Sequence, residues 1–238
     1  MSAIGQDRLV RLFDAAVALN GERRTEVIPS ARVTTRHLGV SLIYTPVGGG
    51  SAQSHHHGAA ETAVYVLEGR AGFYCGGGLR ERVEAGAGGF IFIAPHAVHQ
   101  EYNPDPVPHH IVVVRDVHGS SWHAADPPET TPAGGTGVSA SDAGIDSAAC
   151  GARRVRLATR PLAPGTPAMV AAEGRETAIM VLSGEARLQA DGDEALAGAA
   201  GDWFYVPPDA ACTVTSEGTA PAAVLVVHGP PVDAPAAG

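Results

Sequence analysis

The chain of 238 residues contains no lysine, and all 16 of its basic residues are arginine. Chemistry built on a lysine amine is therefore excluded, including Schiff-base and pyridoxal catalysis and the lysine-bearing phosphate loop. Basic charge is scarce overall: Asp and Glu number 25, giving a net charge of −9, which argues against a nucleic-acid binder with its clustered basic face. Cysteine is scarce too, with only Cys75, Cys150 and Cys212. An odd number without CxxC spacing supports neither a disulfide framework nor a cysteine-rich zinc site, and it fits a reducing cytoplasm. No run reaches the roughly 18 apolar residues of a membrane span, and Met1 to Asn20 carries Asp7 and Asp14 where a signal peptide has an unbroken apolar core. The expectation is a soluble, cytoplasmic protein with neither nucleic-acid nor membrane partners.

What is present points to a folded, turn-rich chain: 45% hydrophobic residues, with 30 Gly and 18 Pro. Helical spacing occurs once, between Asp7 and Leu19, where Leu9, Val10, Leu12, Phe13, Ala16 and Val17 recur before Gly21. This predicts an amphipathic N-terminal helix within residues 1–24. Short β-branched or aromatic runs follow at Gly39–Tyr44, Ala63–Leu67, Ala71–Cys75, Phe90–Ile93 and Ile111–Val114, the pattern of a sandwich or barrel over residues 25–118. Residues 119–151 shift to Gly, Ser, Pro, Ala, Thr and Asp and read as a linker. Strand-like runs resume at Arg153–Ala158, Ala178–Leu182, Ala186–Ala190, Trp203–Val206 and Ala223–Val227. They mark a second unit over 152–229, with a Pro/Ala tail over 230–238.

The two units are copies. "ETAVYVLEGRAGFY" from Glu61 aligns with "ETAIMVLSGEARLQ" from Glu176, and "AGAGGFIFIAPHAVH" ending at His99 aligns, with one gap, with "AGAAGDWFYVPPDAAC" ending at Cys212. Two matches in the same order at nearly constant offset indicate a duplication.

Five of the 11 histidines lie in two windows of the first copy: His55, His56 and His57, then His96 and His99. An isolated histidine triplet is usually a polar loop tip. A strand, however, turns alternate side chains to one face, so His55 and His57 project together and His99 shares a face with Glu101 and Asn103. If both sets face a barrel interior, three imidazoles and a carboxylate converge as a divalent metal site.

These residues resemble the cupin family over both copies. Its first motif appears as Gly49, His55, His57, Glu61 and Gly69, with seven rather than six residues before the last glycine. Its second appears as Gly88, "FIFIAPHAV", His99 and Asn103. The resemblance implies an all-β fold of two tandem jelly-roll barrels (double-stranded β-helices), with the short N-terminal helix beside them. It also implies one divalent transition metal, Fe, Ni, Mn, Cu or Zn, held by His55, His57 and His99. For the carboxylate, the first motif selects Glu61, whereas the likeness of "HHHGAAETAVYVLEG" to the pirin branch selects Glu101; both stay open as ligand or catalytic base.

His56 and His96 read as solvent-facing or supporting groups. Tyr65, Phe73, Phe92 and Tyr102 read as core, and His109, His110, His118 and His123 carry no signal. In the second copy, Val170, Ala172, Glu176 and Cys212 stand where His55, His57, Glu61 and His99 stand in the first. That barrel is expected to bind no metal, with Cys212 a buried, apolar-like thiol.

The resemblance implies a metal-dependent enzyme acting on a small organic molecule, first among them a dioxygenase of the quercetinase-like kind. The alternatives are a non-redox cyclase, isomerase or hydrolase, and a non-catalytic metal-binding regulator. A homodimer is the expected assembly.

Overall fold

The apolar runs form strands, and their continuity has a structural cause. The computed structural model describes residues 8–13, 24–30, 32–116, 122–190 and 192–233, in two barrels of antiparallel strands. In the first, six strands lie in the order Val138–Ser141, Phe90–Ile93, Thr62–Glu68, His109–Arg115, Gly39–Thr45 and Arg24–Ile28. A three-stranded sheet of Glu81–Gly86, Arg70–Cys75 and Gln100–Tyr102 makes the other wall, with the His55–His56 and His123–Ala124 pair beside it. In the second, five strands (Val10–Phe13, Trp203–Val206, Arg175–Ser183, Ala222–Pro231, Arg156–Leu162) face four (Ala168–Ala171, Ala211–Ser216, Glu185–Ala190, Leu196–Ala199).

The two large sheets pack on each other, so their strands are apolar on both faces. In the first barrel Val64, Val66, Ile91, Ile93, Ile111 and Val113 point inward, toward Phe73 and Cys75. Their neighbours Ala63, Tyr65, Phe90, Phe92, Val112 and Val114 join a shared core with Ala178, Met180, Trp203, Tyr205, Leu225 and Val227 of the second barrel. The period of two sorts alternate residues between the barrel interior and the seam between barrels. At the tight turn after Thr62–Glu68, Gly69 has φ +72° and a Cβ there would stand 2.7 Å from the Pro108 carbonyl oxygen, which only glycine tolerates.

The predicted N-terminal helix is corrected where it is described. Val10–Phe13 is a strand, paired antiparallel with the edge strand Trp203–Val206 of the second barrel. An open sheet edge offers unpaired N–H and C=O groups, and pairing with them outweighs a helical spacing carried by only a few residues. Leu9 and Leu12 are buried, and Arg11 pairs with Asp202 at 2.7 Å. The rest of the predicted helix, residues 14–19, lies outside the described residues.

The segment read as linker connects the barrels and packs on the first of them. His123–Ala124 pairs with His55–His56, and Val138–Ser141 adds an edge strand to Phe90–Ile93. Buried Ile145 bridges to Leu157 of the second barrel. Each barrel's large sheet is thus completed by a strand from the segment leading into the other barrel. Among the described residues, no helix is long and apolar enough to cross a membrane.

Candidate metal centre

His55 and His99 face each other across an antiparallel bridge, with reciprocal N–H···O bonds of 2.9 Å. Strand parity then brings His57 beside His55 and Glu101 beside His99. Rings 55 and 99 lie 4.5 Å apart by centroid, and ring 57 lies 5.0 Å from both. One ligand atom from each of His55, His57, His99 and Glu101 lies within 4.8 Å of the others. All three histidines are buried, while the Glu101 side chain is 30% exposed.

The hydrogen bonds fix which atoms face inward. His99 Nδ1 lies 2.8 Å from the Ala97 carbonyl and His55 Nδ1 lies 3.2 Å from that of Gln53. A carbonyl can only accept, so these nitrogens carry the protons and each Nε2 presents a lone pair. Glu101 Oε1 stands 3.4 Å from His55 Nε2 and 3.8 Å from His99 Nε2. His99 Nε2 and Glu101 Oε2 are buried without a hydrogen-bond partner. Arg115 Nη2 stands 3.2 Å from His57 Nε2, but no donor reaches His99 Nε2 or Glu101 Oε2; buried acceptors left so are costly unless a cation occupies the space, so the residues fit a metal ion.

Charge follows the same geometry. Burial pushes the His99 imidazole down to about 4, although Glu101 opposes the shift. For Glu101, burial favours the neutral acid, but the His55 and His99 rings beside it, positive partners when protonated in the metal-free protein, outweigh it and hold the carboxyl well below its usual range. A carboxylate so firmly ionised is better suited to ligating a cation than to carrying a proton.

Gly50, next to the motif position Gly49, lets the two chains approach: at φ +154°, a Cβ would sit 2.2 Å from the Glu101 carbonyl oxygen. Ser51 then receives the Glu101 N–H on its hydroxyl at 3.0 Å. The cluster opens into a cavity of about 760 Å³, whose walls include Phe73, Ile93, Ile111, Val113, Arg115 and Trp122. The Trp122 ring stacks over His55 at 5.2 Å and 28°.

Glu61 is corrected. Its carboxylate is buried away from the cluster and accepts the backbone N–H groups of Arg153, Arg154 and Val155 at 2.8–3.2 Å. Its acceptor capacity is met by the second barrel, which leaves Glu101 as the carboxylate of the site. Asn103 is also structural, donating to the Thr45, Pro46 and Val107 carbonyls. His56 points away from the cluster, stacking on His123 at 5.2 Å with His96 at 5.5 Å. Sequence reasoning missed Arg115, Thr62, Trp122 and His109 of the cavity wall. For Arg115 and His109 a signal existed, since both alternate with Ile111 and Val113 along one strand.

The second barrel keeps the arrangement without the ligands. Val170 pairs with Cys212 as His55 does with His99, and Val170, Ala172, Cys212 and Val214 are buried in an apolar core. Burial pushes the Cys212 thiol up to about 12, consistent with an inert cysteine.

Residues 42–115 match the family model for the cupin domain, and residues 153–220 match that for the EutQ-like cupin domain. The chain belongs to the cupins. This bicupin superposes on protein Ylba from E. coli, with TM-score 0.64 and 14% identity, covering 89% of this chain and 84% of that one. It also superposes on Bacillus subtilis oxalate decarboxylase, an enzyme with Mn(II) centres, with TM-score 0.63 and 13% identity, covering 87% and 72%. At such identities the likeness is one of fold. No curated protein matches this bicupin by sequence.

Proposed function

We propose that this bicupin is a metal-dependent enzyme acting on a small organic molecule in its first barrel, with dioxygenase chemistry of the quercetinase-like kind as the reaction. The observation that carries the metal reading is the convergence of acceptors, above all the unpartnered His99 Nε2 and Glu101 Oε2. His55, His57, His99 and Glu101 would hold one divalent ion. Such an ion polarises an oxygen-bound substrate and, as Fe, Ni, Mn or Cu, adds redox chemistry with dioxygen.

The chain's own residues account for the rest. The Ala97 and Gln53 carbonyls lock the His99 and His55 tautomers, keeping both Nε2 atoms available. Phe73, Ile93, Ile111 and Val113 give the cavity an apolar wall against a carbon skeleton, and Trp122 shields His55 from solvent. Glu101 stays ionised beside the imidazoles, as a ligand needs to be.

The fold shared with an oxalate decarboxylase with Mn(II) centres supports metal chemistry on a small molecule without selecting the reaction. A non-redox cyclase, isomerase or hydrolase is therefore the second reading. Elemental analysis of the purified chain, followed by oxygen-uptake assays on flavonol and enediol substrates, tests the proposal. About one Fe, Ni, Mn or Cu per chain with substrate-dependent oxygen uptake supports it. One Zn with no oxygen uptake moves the reaction to the second reading, and no metal after repletion overturns the metal site.

A further inference from the structure

Arg115 ends the His109–Arg115 strand on its inward face and lines the same cavity as the candidate metal ligands. Its Nη2 lies 3.2 Å from His57 Nε2, and its Nε donates to Thr62 Oγ1 at 3.2 Å. Neither partner is a carboxylate, and among the described residues no carboxylate forms an ion pair with this guanidinium, although Glu101 and Glu26 attract it from further off. Arg24, also on the cavity wall, repels it but is itself paired with Glu26 at 2.6 Å. Burial and Arg24 lower the Arg115 guanidinium to about 10, still protonated at neutral pH.

The duplication supplies a control inside the same chain. Arg115 pairs in register with Thr62, and His228 pairs with Thr177 at the equivalent place in the second barrel. His228 Nδ1 lies 2.9 Å from Thr177 Oγ1, matching the contact of Arg115 with Thr62. The polar contact is kept in both barrels, but the permanent cation occurs only where the metal ligands occur. A purely structural need for a polar partner to the threonine is met by histidine, so the arginine's charge serves something particular to the first barrel.

Charge balance indicates what that is. A divalent ion among three neutral imidazoles and one carboxylate keeps one positive charge in excess, and Arg115 adds a second in a half-apolar cavity. A neutral ligand would leave both uncompensated. We propose that the substrate is a small organic anion whose carboxylate is anchored by Arg115 while a neighbouring oxygen of the same molecule reaches the His55, His57, His99 and Glu101 set. Phe73, Ile93, Ile111 and Val113 take its carbon skeleton. This inference rests on the reading of the four-residue cluster as a metal site.

The test uses the full chain loaded with Co(II), whose visible absorption bands report ligands entering the metal's coordination sphere. Oxalate serves as an anionic ligand, and imidazole, at a pH above its own titration, as one that stays uncharged when bound. Wild type, Arg115→Met and Arg115→Lys are titrated with each, and thermal melts check that the variants fold. The expected result is a loss of oxalate affinity of at least about tenfold in Arg115→Met, the size of one charge-assisted hydrogen bond, with imidazole affinity changed less than about twofold. Arg115→Lys retains a larger share of oxalate affinity and serves alone should Arg115→Met not fold, with a loss for oxalate exceeding that for imidazole as the supporting result. Equal losses for both ligands, or no loss for oxalate, overturn the inference and leave the metal site standing. Failure of the wild type to take up cobalt overturns the metal reading and this inference with it.

Discussion

Glu61 and Glu176 occupy equivalent positions in the two repeats, and each grips the other barrel. Glu61 accepts the N–H groups of residues 153–155, which lead into the second barrel's Arg156–Leu162 strand. Glu176 accepts those of residues 36–38, which lead into the first barrel's Gly39–Thr45 strand, at 2.5–3.0 Å. The most recognisable repeated string of the sequence therefore marks a reciprocal clasp rather than a pair of active-site carboxylates. Charge-assisted bonds to buried backbone donors are among the stronger ones available to a fold.

Glu61→Gln is expected to lower stability while leaving metal content unchanged. The amide's NH₂ group faces backbone donors it cannot accept from, for a loss of about 2–4 kcal/mol, or a fall in Tm of roughly 5–15 °C. Glu176→Gln should cost a similar amount, since its partners are equivalent. Thermal melts together with elemental analysis check both, and loss of metal in Glu61→Gln would return Glu61 to the ligand set.

Glu101→Gln and His99→Ala are expected to weaken metal binding by roughly two orders of magnitude or more, as loss of a ligand exceeds the effect of losing its outer partner. The wild-type melting temperature should fall on chelator treatment and recover on repletion, because an ion bound only to the folded state adds about 2.7 kcal/mol at a hundredfold excess over its Kd. Both variants should gain little from metal at concentrations that saturate the wild type.

In the metal-free protein, stability is expected to decline as pH falls from about 6.5 toward 4. Burial keeps His228 neutral in the folded chain down to about pH 4, whereas unfolded histidine takes up a proton near 6.5. The unfolded state then binds more protons across that window, so the stabilisation is full above it and is lost on acidification. His99 contributes in the same direction. Melts from pH 7.5 to 4.5 should show a shallower decline in His228→Asn, and an unchanged slope would remove His228 from the account.

Trp122→Ala is expected to speed metal extraction by a chelator while changing stability by less than about 1.5 kcal/mol. The indole is 44% exposed and covers His55, so its removal opens a solvent path more than it empties a core. Stopped-flow extraction of Co(II) measures this directly, and rates equal to wild type would show that metal leaves by another route.

The barrels and the three histidines were legible because their signals are local. A period of two places His55 with His57, and His99 with Glu101, and apolar runs such as Phe90–Ile93 announce strands. The choice between Glu61 and Glu101 was not legible from motif spacing, since the Glu61 partners lie more than 90 residues further on. The N-terminal strand was misread for the same reason, because only its pairing with Trp203–Val206 separates it from a helix. Arg115 shares the parity of Ile111 and Val113, but the apolar run stops at Val114, and the strand's pairing with Thr62–Glu68 is what carries it on to Arg115 and the cavity.

The edge strands that each repeat lends to the other have a bearing on why the second barrel persists at all. Val170, Ala172, Cys212 and Val214 fill its interior with an apolar core, yet removing it would expose the seam core of the first barrel, strip away the clasp on Glu61 and loosen the fold around the four-residue cluster. The two barrel interiors of this chain can therefore differ in chemistry, whereas the scaffold they share stands or falls as one.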